Sequence, residues 1–440
     1  MAGKSQRSAV VTPPNRLNPA APTQSSAAAP SAPRTRLRQL SLILAGLAAL
    51  ALALYLPRGF AAYQDWKLRH MPLPQLQALV KSQPGNVEAR YQLGLAYARA
   101  NRLPEAAREF LAVLDRQPVR PDVLNDLGVV YLLQDRYYES LVALQGALTA
   151  RPNYATAYAN LGRLHLATKM PFTAARELAK AVELDPSRPE TLCDLGEAYQ
   201  RTLNYKSAEN AYRRALRLDP RSVPALVGLG RTHFSMARYE EADKELNAAL
   251  KLAPEDTSAL LALGRLRKAQ ALSDADLQAA QQIFARVCQI APEDASAWYE
   301  QGRIALQRGH APEAVEMLTR ALKLSPQYLA AWNQLDRALR AVGRTQEADR
   351  AGKIFREASL REREETHLEE VTSRSPQDWD AKARLAALYL QSGKRGLAML
   401  ICRQLKEGAP DHPMLPKLLQ EINPPAAPPV PAALLQRGGR

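Results

Sequence analysis

Residues 155–188 read ATAYANLGRLHLATKMPFTAARELAKAVELDPSR, and the 34 residues before them and the 34 after them keep the same pattern. The most regular feature is a Leu-Gly pair, which recurs at intervals of 34 residues and begins at Leu93, Leu127, Leu161, Leu195 and Leu229. A fixed period of this length indicates a solenoid. An aromatic residue or His, a small residue, a large residue and a Pro follow each pair at constant distances; in the quoted copy they are His165, Ala174, Leu178 and Pro186.

Each copy contains two stretches in which apolar residues recur at i, i+3, i+4 and i+7. This spacing is typical of amphipathic helices, so each copy predicts a helical hairpin. The Gly and the small residue let the two helices approach closely, since neither has a bulky side chain. The Pro cannot continue the second helix and helps to end it. One hairpin cannot bury both of its faces, so the copies must stack to form a core.

The pattern resembles the tetratricopeptide repeat. This resemblance implies an all-α, right-handed superhelical solenoid, here of about nine helix-turn-helix repeats, and it covers roughly residues 74–412. The sixth repeat is four residues longer than the others, and we expect a longer turn between its helices near residues 271–276. The eighth repeat has Asp336 in place of the Gly and Gly352 in place of the large residue.

The chain divides into six predicted segments. They are a disordered basic segment at 1–38, a transmembrane anchor at 39–57, the repeat array with an amino-terminal half-repeat at 74–342, an extended charged helix at 343–375, a degenerate repeat with a capping helix at 376–422, and a Pro-rich disordered tail at 423–440. The first and last segments lack the apolar residues that a packed core requires.

The net charge of +15 is concentrated at the two ends of the chain. Residues 1–38 carry six Lys or Arg and no acid, and residues 423–440 carry two Arg and no acid. The repeats are therefore only mildly basic, and we expect no nucleic-acid partner.

Residues 40–56 (LSLILAGLAALALALYL) are uncharged and almost entirely aliphatic. As a helix they would extend about 26 Å, which is at the short end for a bilayer span. We interpret them as an uncleaved transmembrane helix. Three alternatives stay open: a cleaved signal peptide, although no clear small-x-small site follows; an organelle presequence; and a buried core helix.

The positive charges on the two sides of this helix are nearly balanced, but the cluster of Arg34, Arg36 and Arg38 lies closest to it. The positive-inside rule then favours a cytoplasmic amino terminus. We expect a single-pass protein of a bacterial inner membrane, with the repeat array on the extracytoplasmic side.

The sequence lacks the usual catalytic and cofactor motifs: a phosphate-binding Gly-rich loop, a paired-His zinc helix and a nucleophile elbow. We therefore expect no enzymatic activity, no cofactor and no metal. His165 and His233 take the aromatic position of their repeats, which favours a role in packing over metal binding or pH sensing. Cys288 and Cys402 fall on apolar positions, whereas Cys193 could be a reactive thiol.

We number each repeat from its first residue, which is Ala155 in the quoted copy. Positions 2, 5, 9 and 12 then share one face of the first helix, and the resemblance implies that this face lines a concave groove. Basic residues recur there at positions 9 and 12, and they form the predicted peptide-binding site: Arg163, Arg231, Arg265, Lys268, Arg303, Arg337 and Arg340. Arg binds carboxylates through paired hydrogen bonds, so acidic or carboxylate-ended peptides are the expected ligands. The alternative is that these side chains pair with neighbours such as Glu197 and Glu300, or are simply solvated.

These features predict a membrane-anchored scaffold that binds a protein or peptide partner and organises an envelope assembly. The alternative is a periplasmic chaperone or assembly factor that holds extended client polypeptides. A catalytic function would need a further domain, and no ordered stretch of the chain is left for one.

Overall fold

The structure, a computed structural model, describes residues 66–422 apart from the side chain of Ser373. The predicted basic segment, transmembrane anchor and Pro-rich tail lie outside these residues. Within them, the helices are too short or too polar for any one to cross a membrane. All the regular structure that is described is α-helical, as the repeat pattern predicts, and strands do not occur in it.

A helical turn at 66–69 is followed by 20 α-helices. In chain order they are α1 (Leu73–Ser82), α2 (Val87–Arg99), α3 (Leu103–Leu114), α4 (Pro121–Leu133), α5 (Tyr137–Ala150), α6 (Ala155–Ala167), α7 (Pro171–Leu184), α8 (Pro189–Arg201), α9 (Tyr205–Leu218), α10 (Val223–Ser235), α11 (Tyr239–Leu252), α12 (Thr257–Gln270), α13 (Asp274–Ile290), α14 (Ala295–Gln307), α15 (Ala311–Leu324), α16 (Leu329–Ala341), α17 (Thr345–Arg374), α18 (Trp379–Gln391), α19 (Arg395–Gly408) and α20 (Leu415–Ile422).

Helices α2 to α19 form nine consecutive hairpins, which we number as repeats one to nine, and each hairpin packs on the next. The expectation of about nine helix-turn-helix repeats in a solenoid is confirmed. Helix α1 packs on α2 through its buried Leu76 and Val80. Helix α20 packs on the last hairpin through Leu415, Leu418 and Ile422.

In the first seven repeats, the Gly of the first helix lies directly against the large residue of the second helix. A Cβ atom built on Gly162 would be 2.4 Å from Cγ of Leu178, and the equivalent distances in the other six repeats are 2.5–2.8 Å. The large residue is fully buried in most of these repeats, as Phe110 is. The contact explains the strict register of the Leu-Gly pairs, because any larger side chain would separate the two helices.

The Pro that closes each copy acts through the residue before it, since that residue is sterically disfavoured in the helical conformation. Arg151, Asp185, Asp219, Ala253, Ala291 and Ser325 each precede such a Pro and cap the second helix with φ between −129° and −142°. In these six repeats the second helix therefore ends two residues before the Pro, whereas in the first repeat it ends at Leu114, four residues before Pro118.

The turn within every hairpin except the sixth contains a residue with positive φ. In the first five repeats it is not glycine, as with Leu203 at 60° and Ala237 at 57°. In the seventh, eighth and ninth repeats it is Gly309, Gly343 and Gly393, with φ of 82°, 78° and 70°. Only glycine adopts this conformation without steric cost.

The expectation of a longer turn in the sixth repeat was wrong. Its two helices are separated only by residues 271–273, and its second helix has 17 residues where those of its neighbours have 14. The side chain of Ser273 accepts a hydrogen bond from the backbone N–H of Asp276, and the Asp276 carboxylate accepts one from that of Ser273. This capping box starts the second helix early, so the extra residues extend the helix.

The ninth repeat also packs against the second repeat, through contacts between α19 and α5. A Cβ atom on Gly396 would lie 2.5 Å from the carbonyl oxygen of Asp135 and 2.7 Å from Cε2 of Tyr137. The Tyr138 hydroxyl donates a hydrogen bond to Glu407, and the guanidinium of Arg403 lies 5.7 Å from the centre of the Tyr138 ring. The array therefore contacts itself across seven repeats, which the repeat pattern does not predict.

Candidate functional site

The first helices of consecutive repeats contact one another at most junctions, whereas consecutive second helices make no comparable contact within the described residues. Elements that approach one another more closely in a curved stack lie on its inner side. We call the exposed face of the first helices the inner surface. All seven predicted binding residues are on these helices: Arg163, Arg231, Arg265, Lys268, Arg303, Arg337 and Arg340.

Three of the seven are brought together around Glu300, whose side chain is 4% exposed. Its carboxylate oxygens lie 3.1 Å from Arg265, 2.6 Å from Lys268 and 3.4 Å from Arg303. Burial lowers the pKa of Lys268 even though its partner Glu300 acts in the opposite direction. One carboxylate thus forms ion pairs with three basic side chains, so the cluster keeps an excess of positive charge.

Two others are paired individually. Arg163 lies 2.6 Å from Asp194 of the next repeat and donates a hydrogen bond of 3.1 Å to the side-chain oxygen of Asn160. Arg340 bridges two carboxylates, Asp336 at 3.0 Å and Asp349 at 2.8 Å. These contacts correspond to the alternative that groove arginines pair with neighbouring acids, although Glu197 pairs with Arg201 instead.

Arg231 and Arg337 differ from the other five. Both are exposed, and neither forms an ion pair with a carboxylate of residues 66–422. Arg337 donates one long hydrogen bond, of 3.4 Å, to the Gln334 side chain. These two guanidinium groups are the most available to a ligand.

Asp126 and Asp194 are further acids of the amino-terminal repeats, at position 6, which the predicted groove positions 2, 5, 9 and 12 do not include. Asp126 accepts hydrogen bonds of 2.7 Å from the Tyr91 hydroxyl and 3.0 Å from the Asn125 amide. The Asn160 amide donates to Asn125 at 2.8 Å, which continues the network into the third repeat. Burial raises the pKa of both Asp126 and Asp194. The recurrence of acids at positions 2 and 6 of the first four repeats is the sequence signal for this surface.

His165, His233 and the three cysteines lie in the helical packing. His233 is 1% exposed, and burial lowers the pKa of His165 to about 4. Cys288 and Cys402 are buried as predicted, and burial raises the pKa of Cys193 to about 11, which disfavours a reactive thiolate. Between residues 66 and 422, groups of three His, Cys, Asp or Glu in a metal-binding arrangement do not occur.

A cavity of about 740 Å³ lies between α15, α16 and α17. Its lining includes apolar residues, such as Trp332 and Ile354, and cations, such as Arg320 and Arg350. Arg320 stacks on Trp298 at 4.4 Å, and the nearby Arg344 pairs with Glu347. None of the seven predicted binding residues lines this cavity.

Comparison with known proteins identifies the repeats. One tetratricopeptide repeat profile matches residues 204–266, and another matches residues 73–121, 100–155 and 258–328. A solved tetratricopeptide repeat protein from Parabacteroides merdae is 18% identical with a TM-score of 0.50, over 57% of this chain and 98% of that one. No curated protein matches the chain.

Two other solved structures are similar over shorter stretches. PilF of Pseudomonas aeruginosa is 21% identical with a TM-score of 0.41, over 49% of this chain and 96% of that one. YrrB, described as a tetratricopeptide repeat protein with an unusual peptide-binding site, is 25% identical with a TM-score of 0.31, over 43% of this chain and 95% of that one. The chain thus contains tetratricopeptide repeats in an all-helical solenoid, a fold that typically serves as a non-catalytic scaffold.

Proposed function

We propose that the protein is a membrane-anchored scaffold whose inner surface binds protein segments and so organises an assembly in the cell envelope. The observation that carries this proposal is the pair Arg231 and Arg337, which share one register, are exposed and have no carboxylate partner among the described residues. With the cluster around Glu300 between them, they give the carboxy-terminal half of the inner surface an excess of positive charge. Such a surface favours acidic or carboxylate-ended segments.

The second candidate function is a chaperone that holds extended client chains. The partly exposed Leu95, Val129 and Leu132 of the first two repeats favour it, because they add apolar surface to the inner face. Apolar contacts select less sharply among clients than paired charges do. A chaperone of this kind should bind many unfolded polypeptides, whereas a scaffold should retain one or two folded partners.

Site-specific photocrosslinking in intact membranes tests both candidates. A photoreactive amino acid replaces Arg231 on the inner surface and, as a matched control, the exposed Arg217 on the second helix of the fourth repeat. The scaffold predicts one or two discrete adducts at position 231 and none at 217. A broad smear of adducts would favour the chaperone, and equal adducts at both positions would exclude the inner surface as the binding site.

The hydrophobic residues 40–56 support membrane anchoring, and the cluster of Arg34, Arg36 and Arg38 before them supports an extracytoplasmic array. Alkaline carbonate should fail to extract the full chain from membranes, and it should release a variant that lacks these residues. Protease added to intact spheroplasts should digest the array. Protection of the array until the spheroplasts are lysed would place it in the cytoplasm and contradict the proposed topology.

A further inference from the structure

The inner surface carries opposite charges in its two halves. Positions 2, 5, 6, 9 and 12 of repeats one to four hold six carboxylates and one cation, whereas the same positions of repeats five to eight hold six cations and one carboxylate. The carboxylates of the first half are Glu88, Asp122, Asp126, Glu190, Asp194 and Glu197. The prevailing sign of the charge thus changes at the boundary between repeats four and five.

Contacts show that position 6 belongs to the same surface as positions 5, 9 and 12. Asp126 accepts from Tyr91, at position 5 of the preceding repeat, and Asp194 pairs with Arg163, at position 9. Glu300 likewise pairs with Arg265 and Lys268, at positions 9 and 12. Each position-6 acid therefore lies beside groove residues of the repeat before it.

Residues outside these positions neutralise part of each half but not all of it. Arg120 pairs with Glu88 and Asp122, and Arg201 pairs with Glu197. Asp126 accepts hydrogen bonds only from neutral groups, and Glu190 is exposed without an ion pair within residues 66–422. The amino-terminal half thus keeps two carboxylates without a cation partner, matching Arg231 and Arg337 in the other half.

We propose that the inner surface recognises an extended peptide segment with cationic residues at one end and carboxylates at the other. This inference rests on the proposed function and specifies its ligand. The centres of the two halves, repeats one to four and repeats five to eight, are four repeats apart. Adjacent first helices lie about 9 Å apart, so the two centres are separated by about 36 Å. An extended chain covers that distance with about 11 residues. The required ligand therefore has two charged clusters of opposite sign that are separated by about ten neutral residues.

Fluorescence anisotropy with synthetic peptides and the detergent-solubilised full chain tests this inference. The probe has two Arg, about ten Gly and Ser, and two Asp, with blocked termini; its control has the same composition with the charges alternating. We expect the separated-charge probe to bind about tenfold more tightly than the control. The difference should shrink as salt screens the charges. Equal binding of both peptides would overturn the inference.

Two pairs of substitutions localise the effect. Asp126→Asn with Glu190→Gln, and Arg231→Gln with Arg337→Gln, should each remove the preference for separated charges. The matched controls Glu240→Gln and Arg217→Gln alter exposed charges on second helices and should leave it intact. Circular dichroism checks that each variant folds. An unchanged preference in either folded double variant would overturn the inference.

Two further outcomes separate this inference from the proposed function. Discrete photocrosslinks at position 231 without any preference between the two peptides would overturn the inference that the ligand carries opposite charges at its two ends. The scaffold proposal would still stand. Salt-sensitive dimers that disappear in both double variants, with no peptide binding, would identify a second copy of the chain as the occupant and overturn the inference.

Discussion

The two helices of a hairpin pack closely in repeats one to seven and in the last two repeats, but the residues at the contact differ between these two regions. In the first seven, a Gly on the first helix accommodates a large residue on the second. In the eighth, the order is reversed: Asp336 replaces the Gly, and Gly352 takes the place of the large residue. A Cβ atom on Gly352 would lie 3.2 Å from a carboxylate oxygen of Asp336. Two helices can therefore pack closely when one partner is small, whichever helix carries it.

The two regions also differ in what they contact. Repeats in a solenoid ordinarily touch only their neighbours, so their contributions to stability are nearly additive. The ninth repeat here touches the second as well, through Gly396, Arg403 and Glu407. Contacts between repeats far apart in sequence should make unfolding of the array more cooperative than in an open stack.

The largest expected effect is in the regular region. Replacing Gly162 with Ala places a methyl group within 2.4 Å of Cγ of Leu178, and neither helix can move without disturbing its neighbours. We expect a loss of about 3 kcal/mol in the free energy of unfolding. Urea denaturation followed by circular dichroism measures it.

Gly352→Ala is the matched change in the eighth repeat. Its new methyl group meets only the flexible ends of Arg356 and Asp336, at 3.2 Å. Because Ala favours the helix over Gly by about 1 kcal/mol, we expect a change between zero and a gain of that size. Equal losses for Gly162→Ala and Gly352→Ala would contradict the packing difference between the two regions.

Gly396→Val tests the contact between the ninth and second repeats. The new side chain would overlap the carbonyl oxygen of Asp135 and the Tyr137 ring, so the two repeats should separate. We expect a loss of about 2 kcal/mol, with faster amide hydrogen exchange in both α5 and α19. Arg395→Val introduces the same side chain at the exposed neighbouring position and should leave exchange in α5 unchanged. Unchanged exchange in α5 for both variants would contradict the contact.

A dependence on pH should arise in the regular region, where His165 takes the position that Leu339 and Tyr389 hold in the last two repeats. Burial lowers the pKa of His165 to about 4, from an ordinary value of 6.5. The unfolded chain therefore binds more protons between these values, and stability is lost as the pH falls from about 6.5 towards 4. His165→Tyr should flatten the dependence of unfolding free energy on pH in this window. Identical slopes for the two proteins would contradict it.

The sequence predicts the parts of the fold that depend on local spacing. The register of the Leu-Gly pairs, the nine hairpins and the ends of the second helices all follow from period, small residues and Pro. The repeat period alone predicts a longer turn in the sixth repeat, whereas the Ser273–Asp276 capping box starts the second helix early and places the extra residues in it.

The remaining features depend on contacts between side chains that are far apart in the sequence or in different repeats, and the spacing of residues along the chain does not predict these contacts. Gly396 and Tyr137 lie 259 residues apart in the chain, and no periodicity relates them. The shared carboxylate of Glu300 depends on side-chain reach between adjacent repeats. The sequence therefore predicts which face of the helix an arginine of the predicted site lies on. Only the structure shows whether that arginine is paired with a carboxylate.

The smallest expected effect concerns the turns, in which the first five repeats have non-glycine residues and the last three have Gly. Leu203 is 71% exposed and has φ of 60°. Leu203→Gly relieves about 1–2 kcal/mol of left-handed strain and adds about 0.4–1 kcal/mol of unfolded-state entropy. We therefore expect a net gain of about 0.7 kcal/mol, the difference of those two terms. The reverse change, Gly309→Leu, should lose a similar amount, because nothing lies within 4 Å of a Cβ atom there and only backbone strain acts. Thermal unfolding of both variants measures the sign of the change in stability. A loss of stability for Leu203→Gly would mean that unfolded-state entropy outweighs backbone strain in these turns.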